Sequence, residues 1–206
     1  MLMQQLVLAT HNLNKLREIK ALLQGLPLEV LSLRDLTDSP LPVEEDEATL
    51  AGNALKKAAA AAAVAGKKAI VMADDSGLEV EALGGQPGVH SARFAGPGAG
   101  DAANNRLLLE KLRGIPPERR GARFRCAIAL LFPDGDTCLI EESCSGRIAE
   151  SPRGGSGFGY DPLFIYEPSG LTFAEMGEEA KNRVSHRGKA LRRARRLLER
   201  RLNQQP

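Results

Sequence analysis

The sequence predicts an α/β fold around a mixed sheet, on three observations. Short apolar runs suited to buried strands alternate with helical segments at both ends of the chain. Two longer strand-like runs in the middle flank a turn. The last stretch carries apolar residues at helical spacing.

Leu6-Val7-Leu8-Ala9 reads as the first buried strand, and Thr10-His11-Asn12 can cap a helix that carries Leu16, Ile19, Leu22 and Leu23 on one side. The Ala-rich run from Asn53 to Ala65 favours helix and stops at Gly66. Ala69-Ile70-Val71-Met72-Ala73 is then a second buried strand, expected to deliver Asp74 and Asp75 to its C-terminal end, where ligands sit in open α/β sheets. Gly84 to Gly100 is rich in Gly and Pro and reads as an ordered functional loop or a flexible crossover. Asp101 is placed to cap a helix ending near Gly114. Ala122–Phe132 and Thr137–Ile148 flank Pro133-Asp134-Gly135-Asp136, the pattern of an antiparallel hairpin. In the final helix Ala190, Leu191, Ala194, Leu197, Leu198 and Leu202 share a face.

At 206 residues and 43% hydrophobic, the chain can bury a sizeable core as one domain, 1–206, or as two lobes sharing a sheet. The net charge of +2 conceals an acidic cluster at Glu44, Glu45, Asp46 and Glu47 and an Arg-rich C-terminal helix. Its three cysteines, Cys126, Cys138 and Cys144, lack metal-ligand spacing, which points to a reducing compartment rather than a disulfide framework. Met1–Thr10 has no basic n-region, and polar residues interrupt its apolar ones, so neither a signal peptide nor a transmembrane helix fits. A soluble cytoplasmic protein that does not engage membranes is expected.

Four constellations carry chemistry. Thr10, His11, Asn12, Leu13, Asn14 and Lys15 lie where a strand meets a helix; free N–H groups and the helix dipole favour phosphate there, and Lys15 adds a point charge. The segment lacks the glycines of a Walker A loop, and ordinary capping is an equally open reading. The second is acidic. Asp74 and Asp75 after an apolar strand are costly unless paired or liganded, and a carboxylate from each acidic segment could hold one Mg²⁺ on a triphosphate. A solvated loop at 44–47 and a turn at 74–77 are the plain alternatives. The third is Gly157-Phe158-Gly159-Tyr160-Asp161-Pro162, whose glycines let a backbone approach a planar ligand while a ring stacks on it. The chain has six Phe, two Tyr and no Trp, and Phe158, Tyr160, Phe164 and Tyr166 fall together, so a tight turn among core aromatics also fits. The fourth runs from Glu175 to Arg187 and contains Lys181, Ser185, His186 and Arg187.

Together these segments resemble the inosine triphosphate pyrophosphatase family, the dITP/XTP pyrophosphatases. The resemblance spans nearly the whole chain, through ATHNLNKLREIK, EEDEATLAGNALKKA, MADDSGLEVEALGGQPGVHSARFAG, SGFGYDPLF and TFAEMGEEAKNRVSHRGKA. It implies a long mixed twisted sheet flanked by helices, with an active-site cleft between two lobes. It also implies a cytoplasmic homodimer that hydrolyses ITP, dITP and XTP between the α- and β-phosphates, giving the monophosphate and pyrophosphate. By position, Asp75 matches the family's proton acceptor and a Mg²⁺ ligand, and Glu45 matches the second acidic metal position. Thr10, Asn12 and Lys15 match the phosphate-binding segment. Ser76, Phe158, Gly159, Tyr160, Asp161, Lys181, His186 and Arg187 match the remaining nucleotide contacts. Three positions depart: Leu50 and Gly52 stand where members commonly carry Phe and Glu, and His90 where they carry Tyr. The change at Gly52 leaves the roles of Asn53 and Lys57 open. A nucleic-acid-binding module using the Arg-rich helix, and a hydrolase of pyrimidine triphosphates, are the competing functions.

Overall fold

The computed structural model describes residues 3–37 and 43–204, so Met1 and Leu2 of the strand-like N-terminal segment lie outside the described residues. The chain runs β1 (Gln4–Leu8), α1 (Leu13–Leu23), β2 (Leu28–Ser32), α2 (Leu50–Ala65), β3 (Ile70–Val80), β4 (Pro87–Gly88), α3 (Asp101–Lys111), β5 (Gly121–Leu131) and β6 (Thr137–Ile148). It continues through β7 (Phe164–Tyr166), β8 (Leu171–Thr172), α4 (Phe173–Met176), α5 (Glu178–Val184) and α6 (His186–Asn203). The sheet follows the order β2-β1-β3-β5-β6-β7-β8, with β4 against β3. β1 is parallel to β2 and β3, whereas β4, β7 and β8 pair antiparallel to their neighbours, so the sheet is mixed as expected.

Two compact units divide the chain. The first comprises Met1–Asp75, Cys126–Glu141 and Ala190–Pro206; the second comprises Ser76–Arg125 and Glu142–Lys189. Each has its own core. In the first, Leu6, Leu8, Ile70, Met72, Ile128 and Leu130 from strands meet Ile19 and Leu23 of α1 and Ala190, Leu191, Ala194 and Leu198 of α6. The apolar spacing of α1 and α6 lies behind this, since residues three and four apart share a helix face. In the second, Phe124, Phe164 and Phe173 pack together, with ring centroids 4.7 Å apart for Phe124–Phe164 and 4.8 Å for Phe164–Phe173. Leu78, Leu108, Leu112 and Cys144 close around them.

Most element boundaries follow local chemistry. Asn12 caps α1, and its Oδ1 accepts from the N–H groups of Asn14 and Lys15. Thr49 caps α2, so that helix begins three residues before the Asn53 start expected from the Ala run; Gly66, at φ +83°, ends it as expected. The β5–β6 turn closes through Phe132 N–H donating to the Asp136 carbonyl at 2.9 Å.

Three expectations need correction. Asp74 and Asp75 do not end a strand: β3 continues through them to Val80. The pairing of β1 with β3 stops at Leu8 opposite Met72, so the aspartates lie beyond the last residue of β1 but inside β3. Gly100, not Asp101, is the cap of α3, and the helix ends at Lys111. The Gly- and Pro-rich stretch, read as an ordered loop or a flexible crossover without regular structure, holds β4 and a short 3-10 turn, Ser91–Arg93.

Gly77 shows why β3 requires glycine beside the aspartates. Its Leu78 neighbour pairs with Gly88 of β4, and a Cβ on Gly77 would overlap the Gly88 carbonyl and crowd the Ser91 hydroxyl. Overpacking of this kind costs about 1–3 kcal/mol. Gly77→Ala is therefore expected to lower the thermal midpoint by roughly 2–10 °C for a chain of this size. Thermal denaturation followed by circular dichroism reads this directly.

Candidate functional site

The first unit holds a charged cluster centred on β3. Successive strand residues face opposite sides of a sheet, and the two aspartates accordingly find different partners. Asp74 Oδ2 is 3.1 Å from the Lys15 ammonium of α1, while Asp75 Oδ1 is 2.6 Å from Lys57 of α2. Lys57 also reaches Glu45 Oε1 at 3.1 Å, so a single ammonium joins the two carboxylates that the sequence pairs as metal ligands. Asn53, one turn before Lys57, donates to Asp75 Oδ2 at 3.3 Å and accepts from the Glu47 N–H at 3.1 Å. It thereby ties the 44–47 segment to the strand.

Burial decides which of these charges matter. Asp74 and Asp75 are buried, at 2% and 6% exposure, and buried charge is costly unless it is paired. Burial works against the charge on Lys57. The carboxylates of Asp75, Asp74 and Glu45 outweigh it and hold the lysine above its ordinary range. The neighbouring pair of Lys56 with Asp46 lies at the surface, where solvent screens it.

Gly52 permits this arrangement. A Cβ there would come within 2.9 Å of the Glu47 Cβ, so glycine lets the acidic segment close against the start of α2. Leu50 is buried and fills its place as apolar bulk.

The second unit holds a loop of different character. Phe158 presents a ring to two cations, with Lys181 Nζ 4.7 Å and Arg187 Cζ 5.3 Å from its centroid. Asp161 fixes the loop: its Oδ2 accepts from the Phe158 N–H at 2.8 Å and from Lys181 Nζ at 2.7 Å, in a pair that is almost fully buried. Gly157 is required at φ +80°, because a side chain would strike the Asp161 carboxylate. Arg187 donates to the Ser76 hydroxyl at 3.1 Å. A cation-flanked ring beside an arginine can take a flat, polar heterocycle.

Other expected site residues are placed differently. The Tyr160 phenol is buried and donates to the Ser91 carbonyl at 2.9 Å; burial, then the charge of Asp101, raises its pKa well above the ordinary phenol value, so it stays protonated. His186 is buried, with its ring stacked on Phe124 at 4.5 Å. At the α1 terminus, capping is the arrangement observed: Asn12 takes two N–H groups, and Thr10 Oγ1 accepts from the Asn12 N–H at 3.2 Å. His11 and Leu13 are exposed, and Asn14 is half-buried.

Lys57 and Asn53 are the functional candidates to which sequence reasoning assigned no role. Their signal lies in the Ala-rich helix itself, where two polar residues four apart share a face that is otherwise small and buried. Among the described residues, no group of three or more His, Cys, Asp or Glu side chains is arranged to hold a metal ion. Two carboxylates do fit Mg²⁺, which keeps several waters and takes further oxygens from phosphate. Glu45 and Asp75 converge on one cationic group, the Lys57 ammonium.

Two of the C-terminal arginines are engaged within their own unit. Arg195 donates to the carbonyls of Leu22 and Gln24 and pairs with Glu199. Arg201 pairs with Asp134 and Asp136. No helix among the described residues is long and apolar enough to cross a membrane.

Comparison with known proteins shows the family. A dITP/XTP pyrophosphatase of Geobacter sulfurreducens is 54% identical over 189 residues, 92% of this chain and 94% of its own length. One from Geobacillus kaustophilus is 51% identical over 189 residues, 92% of this chain and 91% of its own. The solved structure of the Staphylococcus aureus Ham1 protein superposes with a TM-score of 0.84 at 38% identity, covering 95% of this chain and 98% of that one. The profile of the Ham1 family matches residues 6–197, and the chain belongs to that family.

Proposed function

We propose that the chain hydrolyses nucleoside triphosphates of non-standard purines, ITP, dITP and XTP, to the monophosphate and pyrophosphate, with Mg²⁺ as cofactor. The observation that carries this reading is the convergence of Glu45 and Asp75 on one cation, supported by near full-length relatives described as dITP/XTP pyrophosphatases. The resemblance also implies a cytoplasmic homodimer. Nothing favours nucleic-acid binding, since Arg195 and Arg201 already hold partners in the fold.

In the proposed reaction a water oxygen attacks the α-phosphorus, its proton passes to Asp75, and the bond to the bridging oxygen breaks as pyrophosphate leaves. Asn53 and Lys57 orient the Asp75 carboxylate from its two oxygens. Lys15, held by Asp74, has further ammonium protons to offer a phosphate. Bound at Glu45 and Asp75, Mg²⁺ would neutralise charge on the phosphates. Catalysis is then mainly electrostatic, with the charges set in place beforehand.

Selectivity follows from hydrogen-bond polarity. Hypoxanthine and xanthine present a 6-keto acceptor, and adenine a 6-amino donor. A donor in the site pairs with the first and is left unpaired against the second, a mismatch that sites built on hydrogen bonds reject strongly. With the His186 ring packed on Phe124, Arg187 is the better-placed reader.

Three outcomes are expected. Asp75→Asn should cut turnover of ITP by roughly 10² or more at saturating Mg²⁺, the scale of general-base catalysis; near-normal turnover would remove Asp75 as the proton acceptor. Lys57→Met leaves buried carboxylates uncompensated and should cost up to about 3 kcal/mol of stability in metal-free buffer. Added Mg²⁺ should restore much of that loss in chemical denaturation, and an absence of rescue would count against Glu45 and Asp75 as the metal pair. Arg187→Ala should narrow the preference for ITP over ATP by roughly tenfold in kcat/KM. Unchanged discrimination would exclude Arg187 as the reader.

A further inference from the structure

The loop that presents Phe158 is anchored at two levels. At its ends, Ser156 N–H donates to the Ala174 carbonyl and Ala174 N–H donates to the Asp161 carbonyl, both at 3.2 Å. These bonds tie the loop to the start of α4. At its apex, both polar groups of Gly159 are taken by α3: its N–H donates to Asp101 Oδ2 at 2.6 Å, and its carbonyl accepts from Asn105 Nδ2 at 2.9 Å. Asp101 and Asn105 are four apart, so one helix face presents an acceptor and a donor side by side.

The helix that carries this clamp is itself pinned. The buried Asn104 accepts from the Ala95 N–H at 2.8 Å and donates to the Ala92 carbonyl at 3.1 Å. Gly159 lies at φ +62°, a left-handed conformation that L side chains rarely adopt, so the apex has a shape that must be maintained from outside. The clamp contributes little to the core, because Asp101 is exposed and Asn105 only half-buried. What it orders is the peptide next to Phe158.

We propose that Asp101 and Asn105 are positioning residues for nucleobase recognition: by holding both sides of the Gly159 peptide, they fix the Phe158 ring where Lys181 and Arg187 flank it. The inference rests on the reading that this loop takes the purine. A ring held in place before the ligand arrives loses no rotational or backbone freedom on binding, so the clamp acts on affinity for the base. The chemistry at phosphorus draws on residues of the other cluster, Glu45, Lys57 and Asp75. The effect therefore belongs in KM rather than kcat.

The test uses the full chain with Asp101→Ala, Asn105→Leu and the conservative Asp101→Asn, whose amide oxygen still accepts from the Gly159 N–H. Two readouts are taken: amide hydrogen exchange across 157–161, and KM and kcat for ITP with Mg²⁺. Loss of one charge-assisted hydrogen bond at the apex should speed exchange there and raise KM about tenfold in Asp101→Ala, with kcat within about twofold. Asn105→Leu should move both quantities in the same direction, and Asp101→Asn should return most of the way to wild type. Unchanged exchange and KM would overturn the proposal. So would a fall in kcat at constant KM, or a lower thermal midpoint with KM unaltered, since either marks a merely structural role. A wild-type chain that releases no pyrophosphate from any purine triphosphate refutes the parent reading instead, and with it the purpose assigned to the clamp.

Discussion

Two adjacent carboxylates buried inside a strand are the constraint around which the first unit is organised. Side by side in low dielectric two such charges would repel each other. The strand avoids this by geometry, since Asp74 and Asp75 face opposite sides and each receives its own lysine. The surrounding elements follow from that demand. β1 stops opposite Met72, where α1 can bring Lys15 to Asp74. On α2, the small alanines allow close approach, and Asn53 and Lys57 reach Asp75. Burial works against the charge on Lys57, and three carboxylates outweigh it.

The second unit solves a different problem, how to hold a polar loop still. Phe124, Phe164 and Phe173 supply an interlocked aromatic base. In the same unit Lys181 and Asp161 form a nearly buried pair, and Asp161 accepts from the Phe158 N–H as well. A buried pair of this kind often adds little net stability compared with apolar packing. Its value lies in direction: it fixes which way a backbone N–H and an ammonium point. Asp161 could not be replaced by a hydrophobic residue of similar size without freeing both.

Much of this was legible in the sequence, because it is written in short-range chemistry. Asn12 before an amphipathic run, Gly66 after an Ala run and Pro133-Asp134-Gly135-Asp136 between apolar strands each define a boundary through local bonds, and the structure places those boundaries where the residues do. Misreadings arose where a long-range partner overrides local preference. Asp74-Asp75-Ser76-Gly77 looks like a turn, yet the lysines and β4 keep it extended as part of β3. Asp101 looks like a cap, but its carboxylate goes to Gly159. Lys57 could not be assigned from sequence because its role depends on Glu45 and Asp75, separated from it by 12 and 18 positions.

In the proposed reaction Asp75 serves two purposes, metal ligand and proton acceptor, and both call on its negative charge. The Lys57 ammonium lies against Asp75 at 2.6 Å and against Glu45 at 3.1 Å, so the fold sets positive charge where the proposed divalent cation would also bind. Because Asn53 engages the second oxygen of Asp75, the carboxylate plane is set independently of whichever cation faces the first. An incoming cation would meet oxygens already oriented, and little reorganisation would be left for the moment of reaction. The lysine that offsets buried negative charge in the fold would thus also hold Asp75 in place for that chemistry.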